Sequence, residues 1–120
     1  MDEYSSLLDG YDAAVLYVRE IRKVPDLDKE HEKKLLQLAK TGDKKAIDKL
    51  IEPCLKKTIP IAIEYYKRKP KTDTRDLLDL LLTGSTGLLR AGYELNGHKV
   101  NDFWRYASGF VHREIEIIPR

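Results

Sequence analysis

Residues 46–66 read AIDKLIEPCLKKTIPIAIEYY. Within them Ala46, Ile47, Leu50, Ile51, Cys54, Leu55, Ile59, Ala62, Ile63 and Tyr66 recur at three- and four-residue spacing, the strongest periodicity in the chain. That period lines one face of an α-helix, whereas a half-buried strand needs strict alternation. The stretch predicts a long amphipathic helix opening at Asp43. Pro53 and Pro60 fall inside the stripe. An interior proline costs about 3 kcal/mol and removes a backbone hydrogen bond. One or two kinks, or a break near Pro60, are therefore expected.

On the N-terminal side, Gly42 suits a left-handed helix cap. The helix it closes starts at Asp28, a good N-cap, with Glu30 and Glu32 in the first turn where the helix dipole favours negative charge. It carries Leu35, Leu36, Leu38 and Ala39. A shorter helix is predicted over residues 12–23, with Ala13, Ala14, Val15, Leu16, Val18 and Ile21. It stops at Val24-Pro25, because proline biases its predecessor away from the helical region. Residues 1–11 read as an acidic leader.

On the C-terminal side, Lys67-Arg68-Lys69-Pro70-Lys71 is a basic loop. Thr72, Asp73 and Thr74 offer caps for a helix of roughly residues 75–95. That helix contains Gly84, Gly87 and Gly92. Each costs about 1 kcal/mol against alanine, so tight packing against a neighbour is the expected return. Asn96-Gly97 is a turn signal, and a last helix is predicted over residues 100–118, ended by Pro119. The fold class is all-α: a compact multi-helix bundle forming one domain over residues 12–120.

Composition agrees. The 120 residues are 42% apolar and 35% charged, which suits amphipathic helices with solvated outer faces. A single cysteine, Cys54, excludes an intrachain disulfide. The N-terminus has no apolar run of the secretory kind, and no apolar run approaches a membrane span. A cytoplasmic, reducing setting without membrane contact is expected. Charge is uneven: residues 1–32 carry −5, residues 33–75 carry +8 and residues 76–120 carry −1. The basic middle suits phosphate contact or a lysine-rich solvated face.

The residues give no catalytic constellation. His31, His98 and His112 lie far apart, none at ligand spacing with another, so no metal is expected. Gly84-Ser85-Thr86-Gly87 lies in a helical pattern and lacks the lysine of a phosphate-binding loop. Asp76 and Asp79 share a helix face, which fits helix-start charge better than acid–base work. The chain reads as a non-enzyme without a cofactor.

Four stretches resemble the sigma factors of bacterial RNA polymerase. Leu16-Tyr17-Val18-Arg19-Glu20-Ile21 with Val24-Pro25 is similar to the family's opening helix. Leu38-Ala39-Lys40, Gly42-Asp43, Ala46, Leu50-Ile51-Glu52 and Leu55 resemble the next segment. Asp76-Leu77-Leu78-Asp79-Leu80-Leu81, Gly84 and Gly87-Leu88-Leu89-Arg90-Ala91 resemble the polymerase-binding helix. Phe103, Tyr106-Ala107 and Phe110 resemble the start of the promoter-reading helix. The resemblance runs in order from about residue 12 to residue 118, and the third stretch is the most specific.

The resemblance implies the helical sigma domain that docks on the polymerase clamp, in the largest subunit, and opens promoters. The later domains that read the upstream promoter element have no counterpart in these residues, so either a fragment or a protein that manages with one domain is expected. The implied polymerase-binding residues are Leu78, Asp79, Leu82, Thr83, Ser85 and Arg90. The implied single-stranded promoter DNA contacts are Lys99, Phe103, Trp104, Arg105, Tyr106, Phe110, His112 and Arg113.

The working positions depart from the family. Where the family usually has Gln-Glu-Gly-Asn, this chain has Leu82-Thr83-Gly84-Ser85. Hydrogen-bonded recognition suffers when a donor or acceptor becomes aliphatic. In the promoter-reading helix the family's tryptophan pair is replaced by Gly109 and Phe110, while Trp104 is a new aromatic nearby. Melting needs aromatic faces for unpaired bases, worth roughly 1–3 kcal/mol per base, and cations for phosphates. Glu114 and Glu116 oppose the second need. Phe103, Tyr106 and Phe110 also fit a plain core stripe. Two functions follow: a divergent sigma-type initiation domain, or a sigma-like protein-interaction module, decoy or regulator, that has lost promoter recognition. A third option is a general nucleic-acid binder using the lysines of residues 33–71.

Overall fold

The computed structural model describes residues 12–95 and 99–118, and they form five α-helices: α1 Asp12–Arg22, α2 Lys29–Ala39, α3 Lys44–Arg68, α4 Leu77–Tyr93 and α5 Phe103–Glu116. The all-α expectation holds, with no strand among the described residues. The acidic leader, the Asn96-Gly97 turn and Pro119 lie outside the described residues.

Aspartates start four of the helices by accepting backbone N–H groups that have no partner inside the helix. Asp28 accepts from His31 at 2.8 Å and Asp43 from Ala46 at 3.1 Å. Asp102 accepts from Arg105 at 3.1 Å, which moves the start of the last helix from the expected residue 100 to Phe103. The helix ends at Glu116 rather than residue 118. For α4 the expected caps at residues 72–74 are not used. Asp76 caps it, accepting from Asp79 N at 2.8 Å while Asp79 accepts from Asp76 N at 3.0 Å. The acidic pair is thus a reciprocal capping box. Gly42, after α2, has a φ of +91°, the left-handed conformation that its place in the turn demands.

The break expected near Pro60 does not occur. α3 runs unbroken through both prolines for 25 residues. Each ring leaves one preceding carbonyl without its helical donor. The burial of ten residues, from Ala46 and Ile47 to Ile63 and Tyr65, holds the helix across both sites.

α4 is the central helix, packed against both α3 and α5. Its glycines explain how. A Cβ on Gly87 would stand 2.8 Å from Phe110 O and from Val111 Cα, so α4 and α5 meet backbone to backbone. A Cβ on Gly92 would meet Ile47 Cγ2 at 2.6 Å, and one on Gly84 would touch Thr58 of α3. The core fills around these crossings with Leu50, Leu77, Leu80, Leu81, Leu88, Phe103, Val111 and Ile115.

A buried polar knot secures the loop between α3 and α4. Asp73 accepts from Tyr65 Oη at 2.8 Å, and from Arg75 Nε and Nη2 at 3.0 and 2.7 Å. Arg75 Nη2 also donates to the Ile115 carbonyl at 2.6 Å, tying the loop to the end of α5. Lys69 Nζ caps the Asp73 carbonyl. The Arg75 hydrogen bonds hold the Asp73 carboxyl well below the usual carboxylate range. Burial pushes the Tyr65 hydroxyl up, with the Asp73 hydrogen bond adding to it.

Gly87→Ala destabilises by about 1–3 kcal/mol, because backbone cannot swing aside and the strain exceeds the roughly 1 kcal/mol that alanine gains in a helix. Gly109→Ala, where an added Cβ meets nothing within 4 Å, stabilises by up to about 1 kcal/mol. Urea melts of the two variants read both signs. For Asp73 the folded pKa lies below the unfolded one. Its contribution is complete above about pH 4 and is lost as pH falls further. Asp73→Asn costs about 3 kcal/mol or more near neutrality and flattens the acid limb of a stability–pH curve; an unchanged limb would remove Asp73 from this role.

Candidate protein and nucleic-acid interface

Most of the residues singled out by sequence lie on α4 and α5, with Lys99 just before α5 and with Ser85 and Phe103 turned away from the outer faces. Along α4 the exposed positions are Asp79, Leu82, Thr86, Leu89, Arg90 and Tyr93, a stripe of helical period. Leu82, Leu89 and Tyr93 remain 48%, 41% and 56% exposed. Leu78 and Thr83 flank them, half-buried. The small polar groups here are occupied within the helix. Thr83 Oγ1 donates to the Asp79 carbonyl at 2.7 Å, Thr86 Oγ1 to the Leu82 carbonyl at 3.2 Å, and Asp79 is used in the capping box. What the face offers outward is aliphatic and aromatic surface with one guanidinium.

Ser85 is turned elsewhere. Its Oγ lies 2.6 Å from Tyr17 Oη, which joins α1 to α4. It also donates to the Leu81 carbonyl at 3.2 Å. Arg90 Nη1 lies 3.1 Å from Glu114 Oε1 on α5, so this candidate residue bridges the two helices.

On α5 the candidates separate. Phe103 is 1% exposed and belongs to the core, so a stacking role for it is corrected by the structure. Its backbone N–H donates to Glu32 Oε1 of α2 at 3.0 Å. Trp104 is half-buried with Lys57 Nζ 5.6 Å from its ring centre. Tyr106, Phe110 and Arg113 form a column along α5. The two rings lie 5.3 Å apart and tilted, and the Arg113 guanidinium sits 6.0 Å from the Phe110 ring. Tyr106 Oη donates to the Glu94 carbonyl at 3.2 Å. Burial raises the Tyr106 pKa, with the Glu94 charge adding to it. Lys99, Arg105 and Tyr106, with Asp102, line a shallow cavity of about 250 Å³. His112 is exposed on the same helix.

Sequence reasoning counted Glu114 and Glu116 as repulsive to phosphate. Both are paired within the chain: Glu114, largely covered, with the exposed Arg90, and Glu116 with Arg68 Nη2 at 2.7 Å in a surface pair. Pairs so distant in sequence leave no mark on periodicity. Among the described residues no group of three or more His, Cys, Asp or Glu side chains is placed to hold a metal. Cys54 is buried, and burial pushes its thiol up to about 12, which leaves it an inert core residue. No helix among the described residues is long and apolar enough to cross a membrane.

The described helices thus present an exposed apolar stripe on α4 and a column of Tyr106, Phe110 and Arg113 on α5. The sequence is 35% identical over 104 residues to the RNA polymerase sigma factor SigA of Clostridium acetobutylicum. It is 30% identical over 105 residues to the sigma factor RpoS of Coxiella burnetii, and 30% over 104 residues to SigA of a Bacillus species. The matches take in 87–88% of this chain, and the chain spans about a quarter of the length of these relatives. No family model and no solved structure matches it. Over most of its length the chain is similar to one stretch of RNA polymerase sigma factors, and these matches support a sigma-factor-like domain.

The Arg90–Glu114 bridge links the two faces, and a double-mutant cycle of Arg90→Gln and Glu114→Gln measures it. The expected coupling is about 0.2–1 kcal/mol, shrinking as added salt screens the exposed arginine. Zero coupling at low salt would mean the bridge does not hold the helices together.

Proposed function

We propose that this domain acts in transcription initiation, docking on RNA polymerase through the outer face of α4 and presenting α5 to single-stranded promoter DNA. The observation that carries the reading is the match across nearly the whole chain to proteins whose names are RNA polymerase sigma factors. The α4 face supports it: large apolar side chains left in water on a central helix suit a partner that covers them. The polymerase-side candidates are Leu78, Asp79, Leu82, Thr83 and Arg90, and the expected site is the clamp of the largest subunit. Leu82 and Thr83 change the character of that contact from hydrogen bonds toward apolar packing. The nucleic-acid candidates are Lys99, Trp104, Arg105, Tyr106, Phe110, His112 and Arg113.

One observation favours a second reading. The α4 face is more apolar than a recognition surface built on polar side chains, and it suffices for protein docking without any DNA contact. A sigma-like decoy or regulator would use this face and leave α5 idle.

Capture of core RNA polymerase by the immobilised domain tests the first contact. The wild type binds, and Leu82→Glu weakens binding at least about tenfold, because an unpaired carboxylate is costly to bury. Equal capture by both proteins, or by neither, contradicts the α4 assignment. For α5, Tyr106→Ala weakens binding of a nontemplate-strand oligonucleotide roughly five- to hundredfold, the equivalent of one lost stacking contact. Polymerase capture without any oligonucleotide binding selects the decoy reading.

A further inference from the structure

We infer that Arg68 and Arg90 serve as internal counter-ions that silence the two carboxylates of α5, so that its outer face meets phosphate as a cationic surface. The inference rests on the reading that α5 faces nucleic acid. By sequence alone the last two turns of α5 carry His112, Arg113, Glu114 and Glu116, a poor face for a polyanion. In the folded chain each carboxylate is met by an arginine from a different helix. Arg68 of α3 reaches Glu116 at 2.7 Å, and Arg90 of α4 reaches Glu114 at 3.1 Å.

Both arginines are well placed for this work. The Arg68 guanidinium lies 5.1 Å from the ring centre of Tyr65, whose hydroxyl is fixed on buried Asp73. Arg68 therefore reaches Glu116 from an anchored platform. Glu114 is largely covered, with 19% of its side chain exposed, while Arg90 above it is 57% exposed.

Distance makes the pairing matter. A helix rises about 1.5 Å per residue, so Glu116 lies only about 5 Å along the axis from Arg113. That is inside the screening length of about 8 Å at physiological salt. An unpaired carboxylate there would cancel much of the attraction that Arg113 and His112 exert on phosphate. Arg68 and Arg90 are thus positioning residues for α5. They raise its affinity for a polyanion by occupying its acids rather than by touching phosphate themselves.

The test is fluorescence anisotropy of a labelled single-stranded DNA with the full chain, across a salt series, for wild type, Arg68→Gln, Glu116→Gln and the double variant. Arg68→Gln should weaken binding about two- to fivefold, the scale of an exposed charge interaction. The double variant should return to wild-type affinity and wild-type salt slope, because the pair is neutral in both. Arg90→Gln, Glu114→Gln and their double should behave alike. A double variant as weak as Arg68→Gln overturns the inference, since Arg68 would then contact phosphate directly. Unchanged binding by Arg68→Gln overturns it too. Should Arg68→Gln fail to fold, the Arg90→Gln, Glu114→Gln and double-variant set decides by the same criteria. If the wild type binds no DNA, the functional reading falls, and this inference with it.

Discussion

Where α4 crosses α5 there is no room for a methyl group: at Gly87 the backbones of the two helices touch. Such an approach strengthens dispersion between the helices and fixes their rotation, because any larger residue would wedge them apart. α3 packs on the other side of α4, with Ile47 and Thr58 set against Gly92 and Gly84. Once α4 is gripped on both flanks, its remaining face must look outward. Leu82, Leu89 and Tyr93 stand on that face. The arrangement that builds the core thus also determines what the protein shows to a partner.

The same crossing brings charges together that are remote in sequence. Arg90 meets Glu114 over the α4–α5 contact, Arg68 meets Glu116, and Arg75 spans Asp73 and the Ile115 carbonyl. Three arginines from three places in the chain converge on the last turns of α5. Two are exposed and worth little to stability. The third, with Asp73, is buried and worth much more to the integrity of the loop. Each of these carboxylates, on α5 and in the neighbouring loop, thus has an arginine partner that lies elsewhere in the fold or two residues away in the loop.

Much of this was legible in the sequence because apolar period and capping are local. The 46–66 stripe located α3, Asp28 and Asp43 began their helices as read, and the α4 glycines pointed to close packing. Sequence and structure part where tertiary packing overrides local signals. Pro60 does not break α3, since burial on both sides of it outweighs the lost hydrogen bond. Asp76 takes the α4 cap from residues 72–74 because Asp73 is drawn into the knot with Tyr65 and Arg75. Phe103 looked like a stacking residue but is core. At the candidate interface the residue types were visible, whereas their partners were not. Nothing in a linear pattern tells Ser85 to bond Tyr17, or Glu116 to pair with Arg68, 48 positions away.

The face of α4 left bare by this packing is the surface proposed to meet RNA polymerase. A photoreactive residue placed at Thr86, in the middle of that face, with a control at Lys49 on the exposed side of α3, examines it directly. Irradiation with core RNA polymerase should crosslink the Thr86 probe to the largest subunit and leave the Lys49 probe unreacted. Crosslinking from Lys49 but not from Thr86, or from neither, would contradict the account.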